Sequence, residues 1–367
     1  MRQETRTGEE RIIRIPARRA TAATPAVVKL ESPPAPQQRP STVILFLAAL
    51  MIAFWFTRLH LQLNPVKAPA GPSPFADGRT LSPISYRGLV PWCVADLEAA
   101  GFPNALGLTS ADLFGVIEIL SLVGLVFAFR RLLMPHFDGK VRQLLSLSIV
   151  PLLSFNFLLP RLHPYWHPAD VPAVLFCTLA LICLREARWT LYYALFVVAS
   201  FNRATTCFFI AATLIVYWGA LPRRHLALHT IAQLVLWLGI QGVLGAFYER
   251  PSPGERSELL LANNLSALLD GQVTATLLSS FGFVWIVILA GASRITDWFT
   301  RRALLVCPLF LTGILVAAPI EEVRLLGEMA PLVLLAAALV IRGPEPRAAS
   351  PAAVYVSDEQ GAPREPA

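Results

Sequence analysis

The feature that most restricts how this chain can fold is a series of apolar runs separated by short, arginine-rich connections. An apolar helix of about 20 residues spans the hydrocarbon core of a bilayer. Only 15% of the residues are charged, whereas soluble globular domains carry about 25%. The pattern therefore predicts an all-α, polytopic membrane helix bundle. Its ten transmembrane or half-membrane segments are predicted at residues 42–57, 113–129, 144–160, 171–184, 190–201, 207–220, 229–248, 275–292, 303–319 and 328–341.

The basic residues predict the orientation of these segments, because cytoplasmic loops are enriched in lysine and arginine. With both termini cytoplasmic, the six cytoplasmic segments hold 8, 4, 2, 2, 3 and 3 such residues, or 22 of the 31 in the chain. This assignment places the connections "REARW" and "PRRH" on the same side, so residues 190–221 must form a hairpin. Its tip, with Asn202 and Arg203, is predicted on the non-cytoplasmic side.

Three regions follow from the same pattern. Residues 1–40 are rich in Arg, Pro, Ala and Thr, which predicts a disordered, basic cytoplasmic tail. Residues 41–341 form the predicted transmembrane domain, with external loops at 58–112 and 249–274, and residues 342–367 form a second disordered cytoplasmic tail. The apolar run Val43–Phe56 comes too late for a cleavable signal peptide. We therefore expect an uncleaved first helix and a multi-pass protein of the inner (plasma) membrane.

Charge and cysteine content exclude some classes of partner. Arginines that orient helices account for most of the net charge of +7, so no nucleic-acid partner is predicted. The five cysteines show no metal-binding spacing, and four of them lie inside apolar runs. No metal site and no resident cofactor are predicted, although a divalent cation bound with substrate is left open.

Polar residues collect on the predicted non-cytoplasmic face. From Tyr86 to Ala99 the first loop alternates apolar and polar residues at near-helical spacing, which predicts a helix on the membrane surface. Glu118 is predicted inside the second membrane helix, where an unpaired carboxylate is costly. The candidate site residues are Asp96 and Glu98 in the first loop, Arg161, His163, Tyr165, His167 and Asp170 in the second, Asn202 and Arg203 at the hairpin tip, and Glu321, Glu322 and Arg324 in the last external turn.

These residues allow a functional and a structural interpretation. Several arginines in one cavity can hold a phosphate or pyrophosphate through charge-assisted hydrogen bonds, and a nearby carboxylate can act as general base on a hydroxyl. In the structural interpretation, the histidines are hydrogen-bonding loop residues and the first-loop carboxylates are solvated. The acidic pair Glu321 and Glu322 then caps the helix that follows, and Arg203 forms an ion pair with Glu118.

Several motifs resemble known membrane proteins. The stretches "YRGLVPW", "WHPADVP", "LYYALFVVASFNRATT", "SSFGFVWIVIL" and "EEVRLLGEMAPLVLL" look like landmarks of uncharacterised bacterial integral membrane proteins, over residues 80–341. The overall arrangement resembles the GT-C class of membrane glycosyltransferases. That resemblance implies a polyprenyl-phosphate-linked sugar as donor and an acidic residue of the first external loop as base. The acidic pair that commonly follows the first helix in that class is missing here, and the hairpin has Ala204 and Thr205 where an acidic residue is expected.

The leading hypothesis is a glycosyltransferase that acts on lipid-linked sugars at the non-cytoplasmic face. In it, Asp96 or Glu98 is the base. Arg161, Arg203 and Arg324 hold the donor phosphate, and His163, His167 and Asp170 orient the substrate or a divalent ion. Two alternatives stay open: a transporter or flippase for a lipid-linked or anionic substrate, and a non-catalytic membrane subunit. Whether the chain is an enzyme is therefore undecided from the sequence, and the expected partner is a membrane lipid or a polyprenyl-phosphate-linked sugar.

Overall fold

A computed structural model of the chain describes residues 42–64, 88–159, 166–247 and 260–343. Within these ranges the protein is helical and contains no β-strand. The tail predicted at 1–40, almost all of the tail predicted at 342–367, and parts of both long external loops lie outside the described residues. The α-helices are α1 (Thr42–Leu63), α2 (Leu89–Ala99), α3 (Phe102–Leu106), α4 (Ser110–Leu133), α5 (Gly139–Phe157), α6 (Asp170–Arg185), α7 (Trp189–Asn202), α8 (Cys207–Tyr217), α9 (Arg223–Phe247), α10 (Leu261–Ala267), α11 (Gly271–Ser279), α12 (Val284–Gly291), α13 (Trp298–Ala303), α14 (Val306–Ala317) and α15 (Ala330–Arg342).

The chain is a multi-pass integral membrane protein. Six of its helical stretches are long and apolar enough to cross a bilayer: Thr42–Leu63, Ala111–Leu133, Arg223–Ala246, Gly271–Arg294, Trp298–Ala317 and Val323–Arg342. Each of the ten predicted segments overlaps one or more helices. That all ten cross the bilayer, and that both termini are cytoplasmic, stay predictions.

One predicted segment, at residues 275–292, is not a single regular helix. Phe281, Gly282 and Phe283 have φ angles of 57°, 58° and 63°, a left-handed conformation that side chains other than glycine rarely adopt. These angles end α11 and start α12 in a new direction. A Cβ atom on Gly282 would lie 2.7 Å from the ring of Phe155. The left-handed angle is easiest for glycine, and the close packing leaves no room for a side chain at this position.

The interior of the bundle is formed mainly by α4, α6 and α15. Helix α6 packs against α4 and α7, and α15 packs against α5, α6 and α12. In the span Val323–Arg342, 89% of the most apolar stretch is buried, against 17% in Arg223–Ala246. The long helices α1 and α9 expose many apolar side chains. They therefore belong to the perimeter that contacts lipid, whereas the shorter helices α6 and α15 lie inside the bundle.

Charged side chains inside the bundle occur at its two ends. The group at one end, here called the Asp170 layer, consists of Asp170, Arg203, Glu322, Arg324 and Glu328. The group at the other end, the Arg185 layer, consists of His136, Arg185 and Asp297, with Arg185 Nη2 3.0 Å from Asp297 Oδ1 and 2.8 Å from His136 Nε2. Along α6, Asp170 and Arg185 are roughly 22 Å apart at 1.5 Å per residue. Because the hydrocarbon core is about 30 Å thick, at least one layer must lie inside it.

Buried asparagines hold the places where helices break. Asn156, at the end of α5, donates to the carbonyl of Val323 at 3.1 Å and accepts from the N–H of Phe281 at 3.2 Å. Asn264 donates to the carbonyls of Leu315, in the last turn of α14, and of Ala318, just after it, and it accepts from the N–H of Ile320. Unpaired backbone groups are costly away from water. These side chains therefore allow irregular backbone inside an apolar bundle.

The helix predicted over Tyr86–Ala99 is present as α2, over Leu89–Ala99, and its location on the membrane surface stays a prediction. It packs against the first turns of α4, where its residues Val90 and Val94 form a small apolar cluster with Phe114 and Trp166. Helix α4 starts at Ser110, eight residues before Glu118, which is about 12 Å of helix. The start of α4 therefore extends past the level of Glu118, and α2 packs beside it.

Candidate functional site

The segment Trp166–Asp170, which leads into α6, is held by two other helices, α4 and α7. The indole N–H of Trp166 donates to Glu118 Oε2 at 2.8 Å. Asn202 Nδ2 donates to the carbonyl of Ala169 at 3.0 Å. Asp170 is fully buried in the first turn of α6, where the helix dipole stabilises a carboxylate. This segment is the point at which α4, α6 and α7 are joined by polar contacts.

Asp170 also belongs to a continuous chain of ion pairs. Its Oδ1 lies 3.1 Å from Arg203 Nη2, and its Oδ2 accepts from Arg324 Nη1 at 3.2 Å. The second terminal nitrogen of Arg203, Nη1, donates to Glu328 Oε1 at 2.8 Å, and Arg324 Nη2 donates to Glu322 Oε2 at 2.9 Å. The order is therefore Glu328–Arg203–Asp170–Arg324–Glu322, with charges that alternate along the chain.

The hairpin predicted at residues 190–221 is confirmed, and its tip lies in this layer. Helix α7 ends at Asn202, a single 3-10 turn covers Ala204–Thr206, and α8 begins at Cys207. Thr205 Oγ1 donates to the same Glu328 oxygen as Arg203, at 2.9 Å. The indole of Trp237 on α9 donates to the Ala204 carbonyl at 3.0 Å. Threonine thus adds a hydrogen bond to Glu328 where the resemblance suggests an acidic residue.

The charge balance of the Asp170 layer limits what it can bind. Three carboxylates and two guanidinium groups give a formal net charge of −1. The side chain of Arg203 is 2% exposed and that of Arg324 is 10% exposed, and each contacts two carboxylates. A phosphate that approached either arginine would compete with these partners. The arginines therefore act first as cross-links, because burial of a charge requires a partner.

Glu118 is buried as predicted, but its partner is not Arg203. Its Oε1 lies 2.9 Å from His60 Nδ1 and its Oε2 accepts from Trp166. The proposed Glu118–Arg203 ion pair is therefore wrong. Each side chain instead has its own partners: His60 from α1 and Trp166 for the glutamate, and Asp170 and Glu328 for the arginine.

The two carboxylates predicted as candidate bases lie on α2, outside this buried layer. Asp96 is exposed and Glu98 is partly exposed. One turn before Asp96, Trp92 packs against Phe201 of α7, with ring centroids 6.1 Å apart. Helix α2 therefore lies beside the hairpin arm that ends in Asn202 and Arg203. Its acidic face is at the same end of the bundle as the Asp170 layer.

The remaining predicted site residues have different outcomes. Arg161, His163 and Tyr165 lie outside the described residues. His167 is buried beside Asp170, and its Nδ1 accepts from the N–H of Ala169 at 3.3 Å. A 3-10 helix begins at Val323, directly after Glu321 and Glu322, but Glu322 makes no side-chain capping bond to it and instead accepts from Arg324.

Sequence reasoning did not identify His60, and it assigned no role to Glu328. His60 lies beyond the predicted end of the first segment, whereas α1 continues to Leu63. A segment length of about 20 residues would have placed it inside the membrane. Glu328 lies at the predicted start of the last segment. An acidic residue there was a signal for a buried counter-ion, but its partner Arg203 is 125 residues away.

A narrow cavity of about 20 Å³ lies below Glu328, with room for about one water molecule. Its lining is apolar except for Thr205 and Glu328. Among the residues that the structure describes, no cluster of three or more His, Cys, Asp or Glu side chains is arranged for a metal ion.

No family model, curated protein or solved structure matches this chain.

Proposed function

We propose that this membrane protein is a glycosyltransferase that uses lipid-linked sugars, with its chemistry at the end of the bundle that contains the Asp170 layer. The observation that carries the proposal is the position of α2. This helix presents the exposed carboxylate of Asp96 at that end, and Trp92 fixes it against the hairpin arm beside Arg203. A surface helix with an acidic residue, supported by a rigid polar layer, is suited to a hydroxyl acceptor and a membrane-anchored donor.

The proposed reaction assigns one role to each group. Asp96, or Glu98 two residues later, accepts the proton of an acceptor hydroxyl as that oxygen attacks the anomeric carbon. The bond between the anomeric carbon and the phosphate oxygen breaks, and polyprenyl phosphate leaves with the electron pair. Arg324, the more exposed of the two arginines, and Arg161 bind the donor phosphate. Arg203 is a positioning residue, because its partners Asp170 and Glu328 fix it in the layer.

The distribution of charge favours this proposal over a transporter. Within α6, no Asp, Glu, Lys, Arg or His occurs between Asp170 and Arg185, and within α15 none occurs before Arg342. A path for an anionic substrate through the described part of the bundle centre would therefore cross about 20 Å without a charged group. Glu118, whose burial was the reason to consider transport, is held by contacts to His60 and Trp166.

The orientation of the reactive end follows from the basic residues. Of the fifteen described Lys and Arg residues, twelve lie at the end with the Arg185 layer, and Arg58, Arg203 and Arg324 lie at the other. The enrichment of basic residues on the cytoplasmic side supports a non-cytoplasmic position for the Asp170 layer.

The test is turnover of donor by the purified full-length protein in lipid nanodiscs. A panel of radiolabelled polyprenyl-phosphate hexoses and pentoses is supplied with a membrane extract as acceptor source, and loss of label from the lipid is measured. We expect D96N or E98Q to lower the rate of turnover about 100-fold or more, the usual contribution of a general base. Asp138→Asn, an exposed acidic residue at the opposite end, is the matched control and should leave turnover unchanged.

The outcomes separate the three hypotheses. Turnover that survives both D96N and E98Q would contradict the assigned base. Uptake of labelled donor into proteoliposomes without any change in its chemistry would establish a transporter instead. A stoichiometric protein partner, without turnover of any donor, would indicate a non-catalytic subunit.

A further inference from the structure

Glu322 stands at one end of the buried chain of ion pairs, and it is the most exposed of the three carboxylates in the Asp170 layer. Its side chain is 20% exposed, whereas those of Asp170 and Glu328 are 0% and 4% exposed. Its Oε2 accepts from Arg324 Nη2 at 2.9 Å. Of these three carboxylates, Glu322 is therefore the one that can leave its arginine with the least loss of packing.

Arg324 is held by a second contact that does not depend on Glu322. Its other terminal nitrogen, Nη1, donates to Asp170 Oδ2 at 3.2 Å. Asp170 in turn contacts Arg203 through Oδ1. If the Glu322 carboxylate turned away, the guanidinium of Arg324 would stay in the layer, and its Nη2 would be available to another anion.

The backbone of Glu322 is fixed on both sides, so a movement of this residue involves its side chain alone. Its N–H donates to the carbonyl of Pro319 at 3.0 Å, and its own carbonyl accepts from the N–H of Leu325 at 2.9 Å. Rotation of the carboxylate into water breaks neither bond. For the same reason, replacement of Glu322 by glutamine removes the charge and leaves the turn before the 3-10 helix intact.

A phosphate that binds Arg324 must take the place of one of its two carboxylates. Displacement of Asp170 would leave a fully buried carboxylate with one arginine fewer, which is costly. Displacement of Glu322 costs less, because a carboxylate that is partly exposed regains its hydration and because exposed ion pairs contribute little. The ligand phosphate therefore competes with Glu322 and not with Asp170.

We propose that Glu322 is an internal competitor for Arg324 and that it weakens retention of the polyprenyl phosphate released by the reaction. This inference rests on the proposed function, which assigns the donor phosphate to Arg324. The donor is a phosphodiester with a single negative charge, whereas polyprenyl phosphate is a monoester with about 1.5–2 charges at pH 7. Repulsion by the Glu322 carboxylate is therefore stronger for the product than for the donor, which favours product release.

Binding of phosphate probes, without sugar or acceptor, tests the competition. The purified full-length protein in detergent is titrated by calorimetry with farnesyl phosphate, a short isoprenyl monoester, and with its methyl diester. We expect E322Q to bind farnesyl phosphate about fivefold more tightly than the wild type, the contribution of one partly exposed ion pair. The gain for the diester should be smaller. In the R324Q background, E322Q should bring no gain, because the nitrogen for which the two anions compete is gone.

Glu321→Gln is the matched control, because it removes the same charge from the neighbouring residue and leaves the contact between Arg324 and Glu322 in place. It should bind both probes like the wild type. Inorganic phosphate forms a further arm. A gain in E322Q with inorganic phosphate would show that the phosphate group alone competes, and a gain with the farnesyl probes alone would show that the isoprenyl chain must bring it in. Both results support the competition.

Other outcomes would overturn the inference. They are equal affinities of E322Q and the wild type for farnesyl phosphate, equal gains in E321Q and E322Q, or no binding of any probe to either protein. The turnover assay with D96N and E98Q is independent of these titrations. Turnover that depends on the base, together with an unchanged affinity in E322Q, would refute the competitor and leave the transferase in place.

Discussion

Arg203→Met is the substitution that most directly tests the buried ion-pair chain. It keeps much of the side-chain volume but removes the charge that Asp170 and Glu328 share, at 3.1 and 2.8 Å. At an effective dielectric constant of 20, one pair of charges 4 Å apart interacts by about 4 kcal/mol. Loss of one partner from a buried pair costs about 3–5 kcal/mol overall. We therefore expect R203M to lower the free energy of unfolding by this amount.

The control is an exposed ion pair of the same length. Arg188 Nε lies 2.9 Å from Glu186 Oε2, but the arginine side chain is 55% exposed. Its replacement by methionine should cost no more than about 1 kcal/mol, because water screens an exposed pair. Unfolding is measured by titration with sodium dodecyl sulfate in mixed micelles, followed by tryptophan fluorescence.

A double-mutant cycle isolates the pair itself. E328M and the double variant R203M/E328M complete the cycle, and we expect a coupling energy of about 2 kcal/mol between the two positions. If R203M costs no more than R188M, the Asp170 layer is not the low-dielectric network described above. The argument that its arginines are structural cross-links would then fail.

Three further predictions concern the surface helix, the helix breaks and the left-handed turn. Partial burial raises the pKa of the Cys93 thiol, and the nearby carboxylate of Asp96 raises it further. Because only the thiolate reacts, labelling of Cys93 by an impermeant maleimide in intact cells should become faster from pH 7 to pH 9. D96N should increase the labelling rate at pH 7.5. Equal rates in D96N and in the wild type would show that the Asp96 carboxylate does not affect the Cys93 thiol. Asn156→Ala leaves two buried backbone groups unpaired and should lower the free energy of unfolding by roughly 2 kcal/mol in the detergent titration. Gly282→Ala introduces both a strained backbone angle and a clash, and should cost about 1–3 kcal/mol, whereas Gly242→Ala has open space in α9 and should be neutral or stabilising. Equal stabilities for the two alanine variants would contradict the left-handed turn.

The sequence was sufficient for the helical class and for the hairpin, because both depend on local signals. Apolar run length predicts a membrane helix, and the basic connections on either side of residues 190–221 require the chain to reverse between them. The position of Arg203 at the tip follows from that reversal alone.

The ion-pair partners could not be predicted, because they depend on how distant helices are placed side by side. Glu118 and Arg203 are both costly inside a membrane, so a pair between them was a reasonable hypothesis. In the structure, α1 supplies His60 to Glu118, and the start of the last span supplies Glu328 to Arg203. Several pairings satisfy the same energetic requirement. A single sequence does not distinguish among these pairings. The packing of α1 against α4, and of α6 against Val323–Met329, decides which pairing forms.

The break at Ser280–Phe283 shows a second limit. Gly282 indicated a special backbone angle, but the two flanking phenylalanines favour a continuous apolar helix. Asn156, more than 120 residues earlier, provides the hydrogen bond that the Phe281 N–H needs. A turn that depends on a remote side chain leaves no periodic signal in its own sequence.

The burial of the Asp170 layer has a consequence for access. Asp170, Arg203 and Glu328 are at most 4% exposed, whereas Arg324 and Glu322 are 10% and 20% exposed. A ligand at this end can therefore contact the layer through Arg324 and Glu322, while the other three side chains are covered by protein. The layer thus has an outer part that a headgroup can reach and an inner part that holds the helices together.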